Sequence, residues 1–267
     1  MLGAIIGDLS GAPWEFGSDK TLDYIFLEID TAPTDDSIMT VAVGCACVES
    51  NLDDEEDFKA NVIRYMRELG NINPNAGYGA MFYKWLTTPS MGPYNSYGNG
   101  SAMRVSPVAW ASRSLLQAET LAKWSAEVTH NHPEGILGAQ AVAAAIYLAL
   151  DGKDKEEIAE YIRDNYYDLE FNIDDIREDY TFDISCQGSV PQAIKCFLEA
   201  ESYEDAVRLA VSLGGDCDTQ AAIAGSIAEA YFGIPEDMAT AALELLDETL
   251  LEYYNSYSEQ LYAEWNR

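Results

Sequence analysis

The sequence has few basic side chains and no long apolar run. Its 15 Lys and Arg residues stand against 46 Asp and Glu residues, which gives a formal net charge of −31. Such a chain lacks the basic surface that sequence-independent binding to nucleic acid or to an anionic membrane requires. No stretch approaches the ~20 apolar residues that span a bilayer. We therefore predict neither a nucleic-acid partner nor a membrane partner.

The sequence is also poor in the side chains that bind zinc or form disulfides. Its five cysteines include no CxxC spacing, and its only two histidines, His130 and His132, lie two residues apart. These counts argue against a Cys/His zinc site. The N-terminal segment lacks the basic lead of a secretion signal, and Asp8 interrupts its apolar residues. We therefore expect reduced cysteines and a cytoplasmic protein.

Apolar residues recur at helical spacing along almost the whole chain, and no segment shows the alternation of a strand. We predict an all-α protein with a single domain over residues 1–267, because no linker or change in composition divides the sequence. The predicted helices are 38–49, 53–69, 76–86, 102–111, 117–129, 133–150, 155–165, 191–200, 203–212, 219–232, 236–251 and 252–265. Irregular segments are predicted at 17–33, 89–100 and about 168–187.

Two acidic motifs each precede an apolar helix: Thr34-Asp35-Asp36-Ser37, and Asp216-Cys217-Asp218-Thr219 after two glycines. Each motif alone can be read as a helix cap, since Asp, Ser and Thr accept hydrogen bonds from the first turn. Together they place four carboxylates beside helices that are predicted to be buried, where unpaired charge is costly. A pair of Mg²⁺ or Mn²⁺ ions would compensate that charge, because such ions prefer carboxylate and hydroxyl oxygens.

The N-terminal segment from Gly7 to Phe16 carries two further carboxylates, Asp8 and Glu15. In a continuous helix their seven-residue spacing would place both near one face. The alternative for Glu15 is a solvated helix end.

A glycine-rich loop from Tyr97 to Arg104 and a histidine pair complete the candidate features. Backbone N–H groups where such a loop enters a helix bind phosphate, although an ordinary turn has the same composition. The loop lacks the Gly-Lys-Ser/Thr of a Walker loop and the strand that precedes a Rossmann fingerprint. His130 and His132 lie between two predicted helices, where each is a helix-end cap, a buried hydrogen-bonding residue or a ligand.

Taken in chain order, these segments resemble the ADP-ribosylglycohydrolase family, which includes the dinitrogenase reductase-activating glycohydrolases. The resemblance rests on GAIIGDLSGAPWE at 3–15, TDDS at 34–37, YGNGSAMRVSP at 97–107, THNHP at 129–133 and GGDCDTQAAIAG at 214–225. It implies a single compact all-α domain of orthogonally packed helices with two Mg²⁺ or Mn²⁺ ions. One departure is Ser37, where many relatives have Thr.

The resemblance also implies roles for individual residues. The implied metal ligands are Thr34, Asp35, Asp36, Asp216, Asp218 and Thr219. The implied substrate-binding residues are Glu15, Gly98, Asn99, Gly100, Ser101, Met103 and His130. The implied catalytic residues, which handle the proton of the attacking water, are Glu15 and Asp36.

The implied activity is metal-dependent hydrolysis of the N- or O-glycosidic bond that links ADP-ribose to a modified side chain. A water activated at the binuclear centre would attack the anomeric carbon. Arginine is the expected linkage, with serine as the alternative. The expected partner is an ADP-ribosylated protein or a small ADP-ribose conjugate, and we expect a monomer.

Two other functions fit parts of the sequence. The acidic run 53–57 matches the DDxxD pattern of all-α terpenoid synthases, and residues 174–178 form a loose second copy. Those enzymes also bind a diphosphate through Mg²⁺, but their basic diphosphate-gripping side chains are scarce here. A member of the same family that binds ADP-ribose without turnover is the second alternative.

Overall fold

A computed structural model describes residues 1–17, 19–28 and 31–265 of the protein. These ranges contain fifteen α-helices and one 3₁₀ turn, Ala12–Trp14, and no β-strand, since Gly98 and Ser185 form only an isolated bridge. The fold is therefore all-α, as predicted. The helices, α1 to α15 in chain order, are Leu2–Gly11, Asp35–Glu49, Glu55–Ile72, Ala80–Thr87, Gly100–Met103, Ser106–Ala111, Leu115–Glu127, Pro133–Leu150, Lys155–Asn165, Ile173–Arg177, Cys186–Glu199, Tyr203–Ser212, Cys217–Phe232, Glu236–Glu244 and Glu248–Trp265.

Helix α1 packs against α13 with the two backbones in contact. Gly3, Gly7 and Gly11 follow one another at intervals of four residues, so they share one face of α1. A Cβ atom at Gly7 would lie 2.1 Å from the carbonyl oxygen of Ala221, and one at Gly11 would lie 2.4 Å from the Cα atom of Asp218. We call this contact the glycine seam. It brings the C-terminal half of α1 to the first turn of α13.

We expect Gly7→Ala to lower the free energy of unfolding by about 2 kcal/mol or more, because the new methyl group meets backbone atoms that cannot rotate away. Urea denaturation followed by circular dichroism measures this change. Gly92→Ala is the matched control, since its Cβ atom has no neighbour within 4 Å, and it should shift stability by less than about 0.5 kcal/mol. Equal stability of the two variants would show that α1 and α13 do not touch in this way.

Helix α8 is the most apolar long helix. Within the described residues it alone has the length and hydropathy of a possible membrane span, and 61% of that window is buried inside the protein. Its buried residues, among them Ala141, Ala144 and Ile146, belong to the hydrophobic core. Helix α8 packs against α7, α11 and α13, which agrees with the buried helix that its alanine-rich sequence predicts.

One predicted helix, 102–111, is interrupted in the structure. Helix α5 ends at Met103 and α6 begins at Ser106. The physical reason is Pro107, which has no N–H group to donate to the carbonyl of Met103 four residues earlier. Pro107 is instead accommodated in the first turn of α6, where no intrahelical donor is needed.

Two other boundaries differ from the prediction because a polar side chain starts a helix. Helix α11 begins at Cys186 rather than at residue 191, since the hydroxyl of Ser185 accepts a hydrogen bond from the backbone of Gly188. Helix α15 begins at Glu248 rather than at residue 252, since Asp247 accepts one from Leu250 at 2.9 Å. Helix α10 lies inside the segment predicted to be irregular at 168–187. In the predicted loop 17–33, residues 18, 29 and 30 lie outside the described residues, and the others form no helix or strand.

Candidate metal and substrate site

Five carboxylates from three parts of the chain converge where α1, α2 and α13 meet. One ligand oxygen from each of Asp8, Asp36 and Asp218 lies within 4.8 Å of the other two, and the same holds for Glu15, Asp216 and Asp218. We call these groups the Asp8 triad and the Glu15 triad. Asp218 belongs to both triads, so the two acidic motifs that are far apart in sequence form one centre.

The donor set of this centre fits hard divalent cations. The Oδ1 atoms of Asp36 and Asp218 are buried and have no hydrogen-bond partner among the described residues. Within residues 1–17, 19–28 and 31–265, no Lys or Arg forms a salt bridge with any of the five carboxylates. Buried carboxylates without a cationic partner are costly, and Mg²⁺ or Mn²⁺ would supply the missing positive charge.

Asp8 is the member of the centre that sequence reasoning left out. Its side chain accepts hydrogen bonds from the N–H and hydroxyl of Thr34, at 2.9 and 2.7 Å, and from the N–H of Ser37 at 3.1 Å, together with the Ser37 hydroxyl. These bonds fix the start of α2 to α1. The signal that points to Asp8 is its position between Gly7 and Gly11, because the glycine seam forces its helix against α13.

The two threonines predicted as metal ligands lie beside Asp36. The hydroxyls of Thr34 and Thr219 are each 3.3 Å from Asp36 Oδ2. The Thr34 hydroxyl also donates to Asp8, so both threonines orient carboxylates in this structure. Asp35 borders the same cavity but belongs to neither triad, and its backbone N–H donates to the carbonyl of Ala76 at 2.8 Å.

Glu15 reaches the centre by a different route from the one predicted. The expectation that Asp8 and Glu15 share one face of a continuous helix is wrong, because α1 ends at Gly11 and Glu15 has extended backbone angles after the 3₁₀ turn. Pro13 causes the break, since it cannot donate to the carbonyl of Leu9. That carbonyl accepts the hydroxyl of Thr31 at 3.1 Å instead.

A cavity of about 550 Å³ opens above the centre. All the residues predicted for substrate binding line it except Ser101. Its other walls include aromatic and apolar side chains from the loops around α4 and before α11. The lining residues are Glu15, Phe16, Thr34, Asp35, Asp36, Gly77, Gly79, Ala80, Met81, Phe82, Tyr94, Ser96, Gly98, Asn99, Gly100, Met103, Arg104, His130, Phe182, Ile184, Asp216, Asp218 and Thr219.

The glycine-rich loop uses several of its polar groups within the protein. The Asn99 side chain donates to Asp216 at 2.5 Å and to Ser189 at 3.1 Å, so it holds a carboxylate of the Glu15 triad. The Ser101 hydroxyl donates to the carbonyl of Gly135 at 2.6 Å and anchors the loop to α8.

The backbone of the same loop runs along the cavity wall. The amide of Gly98 donates to the hydroxyl of Ser96, and the amide of Asn99 donates to the carbonyl of Ile184. Met103, at the end of α5, places its sulfur 3.9 Å from the Thr219 hydroxyl at the floor of the cavity.

The two histidines have different surroundings. His132 caps α8, since its Nδ1 atom accepts a hydrogen bond from the backbone of Glu134 at 3.1 Å. His130 is buried and borders the cavity, and its Nε2 atom faces the glycine loop, where a Cβ atom at Gly100 would lie 3.1 Å away. His132 is therefore a helix cap, and His130 is a buried, hydrogen-bonded residue at the cavity, where its role as a ligand stays a prediction.

The acidic run 53–57 lies outside this site. Asp54 caps α3 by accepting hydrogen bonds from the backbone of Glu56 and Asp57, and the run is mostly exposed. The second copy, residues 174–178, forms part of α10 and does not line the cavity. Nothing in this geometry supports a terpenoid synthase.

Comparison with known proteins agrees with the site. Residues 1–267 match the sequence model of the ADP-ribosylglycohydrolase family. The chain belongs to this family.

Curated relatives and a solved structure share most of this glycohydrolase's length. The mouse ADP-ribosylhydrolase ARH3 is 27% identical over 88% of this chain and 83% of its own length. The ADP-ribosylarginine hydrolase Tri1 of Pseudomonas putida is 28% identical over 88% of this chain and 70% of its own length. A solved structure described as an ADP-ribosylglycohydrolase-related protein complex superposes with a TM-score of 0.62 at 25% identity, covering 91% of this chain and 95% of that one. The chain is therefore an enzyme that hydrolyses glycosidic bonds, as predicted.

Burial and mutual repulsion raise the pKa values of the carboxyls in the glycohydrolase centre. Burial, followed by the charges of Asp216 and Asp8, raises the pKa of Glu15 to about 7. Burial, followed by the same two charges, raises the pKa of Asp35 to about 8. The pKa values of Asp36 and Asp218 also lie well above the ordinary value, first because both are buried.

These shifts predict how the cation-free glycohydrolase responds to pH. A carboxyl whose pKa is higher in the folded state binds more protons folded than unfolded, so the free energy of unfolding falls as the pH rises from about 4 towards 8. The chain has only two histidines, which are the side chains that ordinarily titrate in this pH range. We expect the melting temperature in EDTA to be at least about 5 °C lower at pH 8 than at pH 5.5.

Differential scanning calorimetry at both pH values measures this difference. Saturating Mg²⁺ is the control, because cation binding favours the ionised carboxylates and should remove or reverse the decline. A melting temperature in EDTA that rises with pH would contradict the protonated centre.

Proposed function

We propose that this enzyme removes ADP-ribose from a modified side chain with the help of two Mg²⁺ or Mn²⁺ ions. The observation that carries the proposal is the pair of acidic triads that share Asp218 at the floor of a cavity of about 550 Å³. The proposed ligands are Asp8, Asp36, Asp216 and Asp218, with Thr34 and Thr219 beside them. Volumes of this size are typical of sites that enclose a small organic ligand.

Bound cations would supply the chemistry of lowering the pKa of a water and orienting the hydroxyls of the substrate's ribose. Glu15 is the proposed general base for that water. It borders the cavity and is only half-buried, whereas Asp36 is 2% exposed and already accepts the Thr219 hydroxyl. A base must move its proton to solvent after each turnover, which favours Glu15 over Asp36.

The rest of the ADP-ribose is proposed to lie along the cavity wall formed by the glycine-rich loop and His130. Gly98 and Gly100 have no side chains, so the substrate can approach the backbone closely. The guanidinium of Arg104, which also borders the cavity, is the positive charge near this wall. These features fit an anionic diphosphate better than a neutral sugar.

Arginine is the proposed linkage. Phe16, the residue after Glu15, stacks on Phe182 with the ring centroids 5.3 Å apart. Both rings line the cavity and are exposed. A planar guanidinium stacks on aromatic faces, and a surface with a net charge of −31 attracts a cationic peptide. The name of the Pseudomonas putida relative, an ADP-ribosylarginine hydrolase, supports the same choice.

The decisive experiment is a release assay on two peptides of equal length, one ADP-ribosylated on arginine and one on serine, with Mg²⁺, with Mn²⁺ and with EDTA. We expect release from the arginine peptide only when a divalent cation is present. Faster release from the serine peptide would overturn the arginine assignment. Binding of ADP-ribose without release from either peptide would support a non-catalytic role, and equal release in EDTA would rule out the metal-dependent reaction.

A further inference from the structure

Three side chains at the cavity wall form a continuous hydrogen-bonded relay. The guanidinium of Arg104 is 1% exposed, and its Nη2 group donates to the hydroxyl of Thr129 at 2.8 Å and to the carbonyl of Ser125 at 3.1 Å. The Thr129 hydroxyl lies 2.8 Å from Nδ1 of His130. All three residues are buried, so water does not compete for these contacts.

The chemistry of Arg104 sets the direction of every proton in this relay. A guanidinium has N–H donors and no acceptor, so the Thr129 oxygen must be the acceptor in its contact with Arg104. Among the described residues the Thr129 hydroxyl has no hydrogen-bond partner besides Arg104 and His130. Its proton is buried and is therefore directed to Nδ1 of His130, which becomes an acceptor. A neutral imidazole that accepts at Nδ1 carries its proton on Nε2.

We infer that Arg104 and Thr129 are positioning residues that hold His130 in the neutral tautomer protonated at Nε2. This makes His130 a hydrogen-bond donor to a substrate oxygen in the cavity. The identity of that oxygen, a phosphate or ribose oxygen of ADP-ribose, rests on the proposed function. The tautomer itself does not.

Packing fixes the direction in which this donor points. A Cβ atom would lie 3.6 Å from His130 Nε2 at Gly98 and 3.1 Å from it at Gly100, so the nitrogen faces the cavity beside the loop. On the opposite side, Gly135 packs so closely that its Cβ atom would be 2.8 Å from the carbonyl oxygen of His130. The imidazole is thus held between a relay behind it and an open cavity in front.

The electrostatic surroundings agree with a neutral ring. Burial, and then the charge of Arg104, lower the pKa of His130 well below its ordinary value. The ring of Tyr94 faces it at 5.9 Å between centroids, and burial raises the pKa of this phenol to about 12, so Tyr94 is uncharged. The Arg104 guanidinium therefore carries the positive charge at this wall, and the neutral His130 ring contributes a directional hydrogen-bond donor.

The presence of only two histidines makes the tautomer directly measurable. We expect ¹⁵N spectra of the full chain labelled with ¹⁵N-histidine to show Nε2 of His130 protonated and Nδ1 unprotonated at pH 7, with no change down to about pH 5.5. His132→Gln assigns the two sets of signals. A protonated Nδ1 or a cationic ring on His130 at pH 7 would overturn the inference, whether or not the protein hydrolyses any substrate.

Variants of Thr129 test the positioning role. Thr129→Val removes the hydroxyl at nearly constant volume, and Thr129→Ser retains it. We expect the valine variant to show signals of the other tautomer and to bind ADP-ribose about tenfold more weakly by calorimetry, the worth of one hydrogen bond. The serine variant should keep the wild-type spectrum and bind within about twofold.

In turnover of an ADP-ribosylated peptide, Thr129→Val should raise KM and change kcat little, because this bond is made equally in the bound substrate and in the transition state. A valine variant that keeps both the wild-type tautomer and wild-type affinity would contradict the role of Thr129. If neither the wild type nor the variants bind ADP-ribose while the wild-type spectrum shows protonated Nε2, the proposed function fails and the relay stands.

Discussion

Asp218→Asn is expected to reduce kcat/KM for an ADP-ribosylated peptide by at least about 1,000-fold. Asp218 is the carboxylate that both triads share, so the substitution removes a negatively charged ligand from each proposed cation position at once. An amide is also a weaker ligand than a carboxylate for hard cations. Steady-state kinetics measure the loss of turnover, and calorimetric titration with Mn²⁺ should show that tight binding has disappeared.

The fold should survive this substitution. Asp218 is 3% exposed, and burial and its acidic neighbours raise its pKa well above the ordinary value, so a neutral side chain relieves repulsion. We expect the helical signal in circular dichroism to be unchanged and the melting temperature in EDTA to stay equal or rise. Asp164→Asn, at an exposed position on α9, is the control and should keep full activity. Wild-type turnover by Asp218→Asn would exclude a shared metal centre.

Glu15→Gln is expected to lower kcat by about 10²- to 10⁴-fold and to leave the affinity for ADP-ribose within about threefold. The amide keeps the size of the side chain but cannot take a proton from water. The Asp8 triad does not include Glu15, so one cation position should remain intact. Single-turnover kinetics separate the chemical step from product release, and calorimetry gives the affinity.

Asp19→Asn is the matched control for this substitution. Asp19 is an exposed carboxylate four residues further along the same segment, and its replacement should change kcat by less than about twofold. If Glu15→Gln retained wild-type kcat while Asp36→Asn abolished turnover, the proton would go to Asp36. That result would reverse the order of the two catalytic candidates.

The parts of the site that the sequence predicts are those carried by local patterns. Capping side chains and metal ligands are drawn from the same residue types, so Thr34-Asp35-Asp36 and Asp216-Cys217-Asp218 mark helix starts by themselves. Their charge, placed next to apolar helices, is what predicts a cation centre. The structure then brings both helix starts to one point, although about 180 residues of chain separate Asp36 from Thr219, whose side chains touch.

The features that could not be predicted depend on contacts between distant segments. Asn99 carries a loop motif that suggests substrate binding, yet its amide holds Asp216, a partner 117 residues away. The seven-residue spacing of Asp8 and Glu15 suggests that they share a helix face. The actual hydrogen-bond partners of Asp8, Thr34 and Ser37, depend on how α2 packs against α1. Two helix breaks, in contrast, had a local signal in the sequence. Pro13 and Pro107 each interrupt a helix that the apolar periodicity alone would extend.

The glycine seam also has a consequence for how the enzyme is made. Its two helices are far apart in the sequence, as the hydrogen bond from the backbone of Gly3 to Glu229 shows, since these two residues are 226 positions apart. A ribosome must therefore synthesise the chain as far as α13 before α1 can find its partner. Contacts of such long sequence separation form slowly, so the acidic centre is assembled only after α13 has been synthesised.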